Sequence, residues 1–188
     1  MKKRVAPRIA RTTKMIMKSL RKLASERGLD GITIKEITET AKVNRTTFYY
    51  HYRDKNDLIE KTLIEDFKVY LLNPIMECEK MNEGTLRMIY FALIKYIETI
   101  SIYCQGDFSY LHSELTQKMT DQLIEQLQLI LREDHSSSDE YLRFSAVILS
   151  SSIVGLIREW MANDQLEVEQ LIDSTTPILL NIVQMTEN

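Results

Sequence analysis

The side chains best suited to chemistry lie together in one short segment that follows Asn44. Arg, Thr, Tyr and His side chains can hydrogen-bond to phosphates or base edges, and an Arg guanidinium can donate two parallel bonds to guanine O6 and N7. Phe48 and Tyr52 are spaced to face a core. In the alternative interpretation, Tyr49, Tyr50 and His51 also belong to an aromatic core segment. The basic surroundings favour nucleic acid, and the side chains predicted to contact it are Arg45, Thr46, Thr47, Tyr49, Tyr50 and His51.

Two short helices joined by a tight turn must position this segment. Thr33 and Glu36 have the spacing of a capping box, which predicts a helix over Thr33–Thr40. Asn44 is the predicted N-cap of the next helix, Arg45–Tyr52. This is the helix-turn-helix arrangement, whose second helix lies in the major groove of DNA. Helix N-termini favour anions, and we include the capping residues Thr33 and Asn44 in the predicted interface.

Glycine and proline are scarce, and the hydrophobic spacing predicts helices along the rest of the chain. One precedes the motif, over Arg8–Arg27, and another follows it from the N-cap Asp54 until Asn73-Pro74 interrupts it. The predicted fold is therefore all-α, with a three-helix DNA-binding domain and its connecting fourth helix over residues 1–72. Residues 73–188 form a second domain, a bundle of helices over 85–103, 106–132, 139–163 and 166–185, the last bent or restarted at Pro177.

The charge is distributed unevenly between these two parts. Residues 1–72 hold 17 Lys and Arg against 9 Asp and Glu, a net of +8, whereas residues 73–188 have a net of −11. A basic part joined to an acidic body is typical of a polyanion binder, because each cation placed against a phosphate releases condensed counterions. Basic segments also serve simply as solubilising surfaces, so charge alone leaves both interpretations open.

Several other classes of protein are disfavoured. Cys78 and Cys104 are too few for a disulfide framework or a thiolate metal site, which favours a reducing, cytoplasmic location. No uncharged apolar run reaches the roughly 18 residues of a membrane span, so no membrane association is expected. Neither a phosphate-binding glycine loop nor a nucleophile motif is present, and we expect neither an enzyme nor a bound metal or cofactor. His135 is interpreted as part of a solvated loop.

The segment from Arg8 to Leu58 resembles the tetracycline-repressor (TetR/AcrR) family of transcriptional regulators. The resemblance rests on Thr33-Ile-Lys-Glu-Ile, Ala41-Lys-Val, Lys55-x-x-Leu and above all Thr47-Phe-Tyr-Tyr-His-Tyr. It implies that Lys35 faces the groove and that Lys55 contacts a phosphate. The family usually has glycine where this chain has Lys42. That lysine must adopt a positive φ or alter the turn, and it adds a phosphate contact.

The resemblance also implies that the second domain binds a small effector and forms a homodimer. Apolar or aromatic effectors suit the aromatic and methionine side chains of the central helices, although core packing explains these equally well: Met88, Phe91, Tyr96, Tyr103, Phe108, Met119 and Trp160. A row of mostly small residues predicts the dimer contact, completed by four residues of the last helix. The set is Ser145, Ile148, Ser152, Gly155, Glu159, Leu171, Leu179, Ile182 and Val183. Burial within one subunit is the alternative.

These expectations combine into a dimeric repressor that binds a near-palindromic operator in double-stranded DNA. A dimer places two recognition helices one helical turn or more apart, which matches such an operator. The effector would favour a conformation in which that separation is wrong. The alternative is the same DNA-binding domain controlled by a protein partner, and an all-α enzyme is a remote third interpretation.

Overall fold

The structure is a computed structural model that describes residues 5–104, 113–134, 137–162 and 167–184. Within these ranges the regular structure is entirely helical, which confirms the predicted all-α class. Four helices make up the N-terminal part. They are α1 (Val5–Arg27), α2 (Ile34–Ala41), α3 (Arg45–His51) and α4 (Lys55–Phe67).

These four helices share a core formed by the apolar stripes seen in the sequence. Ile16 of α1, Ile37 of α2, Phe48 of α3 and Leu58 of α4 are all fully buried, and Tyr52 retains only 2% of its exposure. The predicted inward orientation of Phe48 and Tyr52 is thus confirmed. A fully buried side chain of this size contributes about 1.5–3 kcal/mol, so the core holds the short helix α3 in place.

The predicted interruption at Asn73-Pro74 is wrong in its position. After Phe67 the chain widens into a π-helical segment, Lys68–Leu72, and then continues as α5, Asn73–Met76. Pro74 lies in the first turn of α5, directly after the π-helical segment, and has no backbone N–H to donate. The helical path therefore ends after Met76 instead of at the proline.

Four longer helices follow, and their bounds are α6 (Glu83–Cys104), α7 (Ser113–Asp134), α8 (Asp139–Ala162) and α9 (Val168–Gln184). The predicted start of a helix at Gly106-Asp107 falls outside the described residues, as does His135. Pro177 lies inside α9, which is a single helix on both sides of it, so the helix does not restart there.

The chain divides into two compact units. The first contains the described residues up to 66 together with 97–104, and the second contains residues 67–96 with the described residues from 113 onward. Both α4 and α6 therefore contribute to each unit. The division at residues 72–73 stays a prediction for the start of a separate regulatory domain.

The second unit is built around α8, which packs against α7 and α9. Polar contacts also join α6 to α9, since the Tyr90 hydroxyl lies 2.8 Å from Thr175 Oγ1 and Arg87 pairs with Asp173. In the described part of the chain, α8 is the one helix whose length and composition would suit a membrane span. Only 39% of the most apolar 18-residue stretch of α8 is buried inside the chain. The core helix of a globular protein has the same composition.

Candidate nucleic-acid interface

A capping box fixes the first helix of the motif. Glu36 N donates to Thr33 Oγ1 (3.3 Å), and Thr33 N donates in return to Glu36 Oε2 (2.9 Å). Arg27, at the end of α1, donates to the other Glu36 oxygen at 2.6 Å. Hydrogen bonds from Arg27 and then Thr33 lower the pKa of Glu36 to about 2. The Thr33 side chain is therefore engaged in helix capping within the predicted interface.

In the turn between α2 and α3, one residue other than glycine adopts the left-handed conformation. Lys42 has φ 55° and ψ 43°. Its N–H donates to Glu39 O, and Val43 N donates to Thr38 O, which together form the Schellman pattern that ends many helices at glycine. A residue with a Cβ pays about 1–2 kcal/mol in this conformation. Of the two outcomes expected for Lys42, the structure has the positive φ.

Helix α3 exposes most of the side chains that were predicted to contact DNA. Arg45 and Thr46 are exposed, and Tyr49 and Tyr50 retain 56% and 73% of their accessible surface. Thr47 is half-buried, and its N–H donates to the N-cap Asn44 Oδ1 at 2.7 Å. The reading in which Tyr49 and Tyr50 belong to the core is therefore wrong, because Phe48 and Tyr52 take the buried positions.

His51 and Tyr52 tie the end of α3 to its surroundings. His51 Nδ1 lies 3.4 Å from Thr13 Oγ1 of α1, so this half-buried imidazole bridges two helices. Burial raises the pKa of Tyr52 to about 12, and the ammonium of Lys61 lies 5.3 Å from the centre of its ring. These contacts fix the direction of α3 relative to α1 and α4.

Lys55 has a different set of partners from the expected phosphate. Its ammonium donates to Leu29 O at 3.2 Å and to Asp30 O at 3.3 Å, which joins the start of α4 to the turn after α1. The N–H of Leu29 donates to Tyr103 O at 2.9 Å, at the end of α6. This turn is therefore held from two sides, and the phosphate contact of Lys55 stays a prediction.

Two acidic side chains of α4 are buried. Asp66 binds Arg21 of α1, with Oδ1 at 2.7 Å from Nη2, and burial raises its pKa against the opposing effect of that guanidinium. Asp57 is also buried, but the Arg53 N–H and the Lys61 ammonium, each at 2.9 Å, outweigh burial and lower its pKa. Both carboxylates connect neighbouring segments to α4.

The residues proposed for an effector pocket do not share one environment. Tyr96 and Met119 are buried together in the second unit, where the Tyr96 hydroxyl lies 3.7 Å from the sulfur. Met88 and Trp160 are half-buried there, and Phe91 is 42% exposed. Tyr103 belongs to the first unit, in which it lines a narrow apolar crevice with side chains of α1 and α4. Phe108 lies outside the described residues.

The residues proposed for the dimer contact divide into buried and exposed sets. Ile148 and Glu159 are exposed, and Ser152, Gly155 and Ile182 are half-buried along an open groove between α8 and α9. The four others are buried inside the chain itself, because they lie on the sides of α8 and α9 that pack inward: Ser145, Leu171, Leu179 and Val183. Ile178, which the sequence did not single out, lines this groove and is 62% exposed.

Sequence reasoning missed the contacts that hold the motif from outside it. Arg27, Arg21 and Asp66 are distant in sequence from the residues they support, and no local pattern pairs them. The role of Tyr103 was missed for the same reason. The capping box at Thr33 and the N-cap Asn44 did have a sequence signal, because in each the two partners lie three residues apart.

An exposed, polar recognition helix held by a capped partner helix defines a helix-turn-helix DNA-binding module. Residues 16–62 match the family described as bacterial regulatory proteins of the tetR family. The resemblance of this segment to the TetR family is thus confirmed.

Similar proteins extend the comparison. The chain is 30% identical over 100 residues to the HTH-type transcriptional regulator YxbF of Bacillus subtilis, and 29% identical over 75 residues to IcaR of Staphylococcus aureus, the negative transcriptional regulator of the biofilm operon icaADBC. These matches cover 53% and 40% of this chain but only 26% and 40% of the relatives. A transcriptional regulator from Cytophaga hutchinsonii has a similar fold, with a TM-score of 0.66 at 14% identity over 93% of this chain and 98% of that one.

Proposed function

We propose that the protein is a sequence-specific DNA-binding transcriptional regulator that acts in the cytoplasm as a dimeric repressor. The observation that carries the proposal is α3, a helix whose polar face is exposed and whose two apolar residues are buried. The names of the relatives YxbF and IcaR support regulation, and that of IcaR supports repression. Catalysis plays no part in the proposal.

Reading of the operator falls to the first turn of α3. Arg45 and Thr47 reach base edges in the major groove, while Tyr49 and His51 hydrogen-bond to the sugar-phosphate backbone. The helix N-terminus adds partial positive charge to the same contact. Because α1, α2 and α4 hold α3 rigidly, little ordering accompanies binding, which favours affinity.

Binding to DNA that flanks the protein's own gene tests this proposal. Fluorescence anisotropy compares that duplex with an unrelated one of equal length at several salt concentrations. Arg45→Ala and Thr47→Ala should each reduce the preference for the specific duplex by about 1–3 kcal/mol, or roughly 5- to 150-fold. An unchanged preference in both variants would remove these residues from base reading, and equal affinity of the wild type for every duplex would refute sequence-specific regulation.

We propose the groove between α8 and α9 as the dimer contact. Ile148 and Ile178 supply exposed apolar surface on its two helices, and a second copy can cover both because a two-fold axis pairs each surface with itself. Ile148→Glu and Ile178→Glu should convert the dimer to a monomer in sedimentation velocity. Leu129→Glu is the matched control, since Leu129 of α7 is similarly exposed at 49%. Dimers that survive both groove variants would place the contact elsewhere.

Control by a small apolar or aromatic molecule is the regulatory part of the proposal. Its physical basis is the aromatic and methionine side chains of the second unit, of which Tyr96 and Met119 pack together. A ligand that binds the folded state raises its melting temperature in proportion to the logarithm of its concentration. Consistent failure of apolar and aromatic compounds in a thermal-shift screen would favour control by a protein partner instead.

A further inference from the structure

The backbone of Lys42 is strained, although glycine at this position would form the same turn without that strain. In the part of the chain that the structure describes, it is the single residue other than glycine with a positive φ. Two hydrogen bonds, from Lys42 N to Glu39 O and from Val43 N to Thr38 O, depend on this conformation. Glycine, or less often asparagine, provides the same bonds with less strain. The backbone therefore explains the conformation but not the side chain.

The side chain of Lys42 is exposed. Neither an ion pair nor a side-chain hydrogen bond joins its ammonium to any residue that the structure describes. Residues kept in strained conformations at exposed positions are often retained for function. A long, cationic side chain at such a position points to an anionic partner.

The position of Lys42 relative to α3 identifies that partner. Lys42 precedes Arg45, the first residue of α3, by three positions, and three residues span at most about 11 Å of chain. A recognition helix that enters a major groove about 12 Å wide leaves the residues before its N-terminus at the groove edge, where the phosphates lie. Lys42 directly follows α2, on which the side chains of Lys35 and Glu39 are both exposed.

We propose that Lys42 trades fold stability for DNA affinity: its ammonium binds a backbone phosphate beside α3, and the strained turn is the cost of placing it there. This inference rests on the proposed function and deepens it. Because a phosphate carries no sequence information, Lys42 should strengthen binding to every duplex equally. Glycine at this position would make the protein more stable and bind DNA more weakly.

Three substitutions separate the charge of Lys42 from its strain. Lys42→Gly removes both, Lys42→Gln removes the charge alone, and Lys42→Arg keeps both. Lys80→Gln, in the exposed loop before α6, controls for a general change of net charge. Each full-length variant is measured twice, by its melting temperature without DNA and by its affinity for the flanking and unrelated duplexes between 50 and 200 mM salt.

We expect Lys42→Gly to melt about 2–4 °C higher than the wild type, because in a chain of this length that shift corresponds to the strain relieved less the backbone entropy that glycine loses on folding. In both Lys42→Gly and Lys42→Gln, the slope of log affinity against log salt should become less negative by about 0.9. The loss of affinity between 50 and 200 mM salt should therefore be about 3.5-fold smaller than in the wild type. Lys42→Arg and Lys80→Gln should keep the wild-type slope. Only Lys42→Gly should gain thermal stability.

Different results overturn different claims. Wild-type slope in Lys42→Gly and Lys42→Gln would refute the phosphate contact while leaving sequence-specific binding intact. A melting temperature of Lys42→Gly at or below that of the wild type would refute the trade of stability for affinity. A wild type that binds no duplex would refute the proposed function together with this inference, and a wild type without preference between duplexes would refute only the proposed function.

Discussion

Removing Arg21 should destabilise the protein far more than removing its partner Asp66. The two form an ion pair between α1 and α4, in which the Asp66 side chain is only 5% exposed and the Arg21 side chain is 28% exposed. Without Asp66, the guanidinium can turn toward water on its long stem. Without Arg21, the carboxylate has no route to solvent and stays buried without a cation.

The magnitude follows from the pKa of Asp66. Loss of one partner of a buried ion pair costs about 3–5 kcal/mol. Protonation of the remaining carboxylate limits this cost, because neutralising a carboxyl group needs only about 1.36 kcal/mol for each unit by which the pH exceeds its ordinary pKa. With the ordinary pKa at 3.8, this ceiling is about 4 kcal/mol at pH 7 and about 1.6 kcal/mol at pH 5. We therefore expect Arg21→Met to cost about 3 kcal/mol at pH 7.

The sign of the pH dependence is fixed by the direction of the shift. Burial raises the pKa of Asp66, so the folded protein binds this proton more tightly than the unfolded chain. The associated stability is fully present below pH 3.8 and is lost as the pH rises through the folded-state pKa. Arg21→Met raises that pKa further, and the difference from the wild type should shrink as the pH falls from 7 to 5.

Thermal unfolding followed by far-UV circular dichroism at both pH values measures these effects. At about 2–4 °C for each kcal/mol, Arg21→Met should melt about 6–12 °C below the wild type at pH 7. Asp66→Leu should cost about 1–2 kcal/mol, and the double variant should lie within about 1 kcal/mol of the wild type, because paired buried charges are often replaceable by apolar residues. A larger loss in Asp66→Leu than in Arg21→Met, or a deficit of Arg21→Met that is equal at both pH values, would refute the reasoning.

Three further predictions concern the surface of the DNA-binding unit. The pKa of Glu36 is lowered from 4.5 to about 2, so the stability that this carboxylate adds to the fold is present above pH 4.5 and is lost as the pH falls toward 2. The difference in melting temperature between the wild type and Glu36→Gln should therefore close between pH 4.5 and 2, and a constant difference would contradict this prediction. Glu39 lies 4.0 Å from Lys35, and Glu39→Gln should free that ammonium and tighten binding to every duplex, with a salt slope steeper by up to about 0.9; weaker binding would contradict this. Lys55 donates to two backbone carbonyls, so Lys55→Met should lower the melting temperature. The predicted phosphate contact of Lys55 should also make the salt dependence of binding shallower by about one in this variant, and an unchanged slope would contradict that contact.

The sequence predicted the features that depend on local spacing. The all-α class, the capping box at Thr33 and the inward positions of Phe48 and Tyr52 follow from the 3.6-residue period and from contacts three residues apart. It could not predict that Pro74 lies within a continuing helical path, because no local pattern marks the π-helical segment Lys68–Leu72 before it. The pairing of Arg21 with Asp66 across 45 positions likewise has no local signal.

The hydrogen bonds of Lys55 show that the position of α3 depends on residues outside the helix-turn-helix motif. A lysine at the start of a helix that follows a recognition helix is readily interpreted as a phosphate contact, yet its ammonium binds the turn after α1. That turn also accepts the end of α6, through Leu29 N and Tyr103 O. A displacement of either α4 or α6 within this unit must therefore break a hydrogen bond at the turn or move α1, against which α3 is positioned by His51 and Thr13. The direction of α3 is thus set by contacts within this unit, and substitutions at them should alter affinity without altering the bases that are preferred.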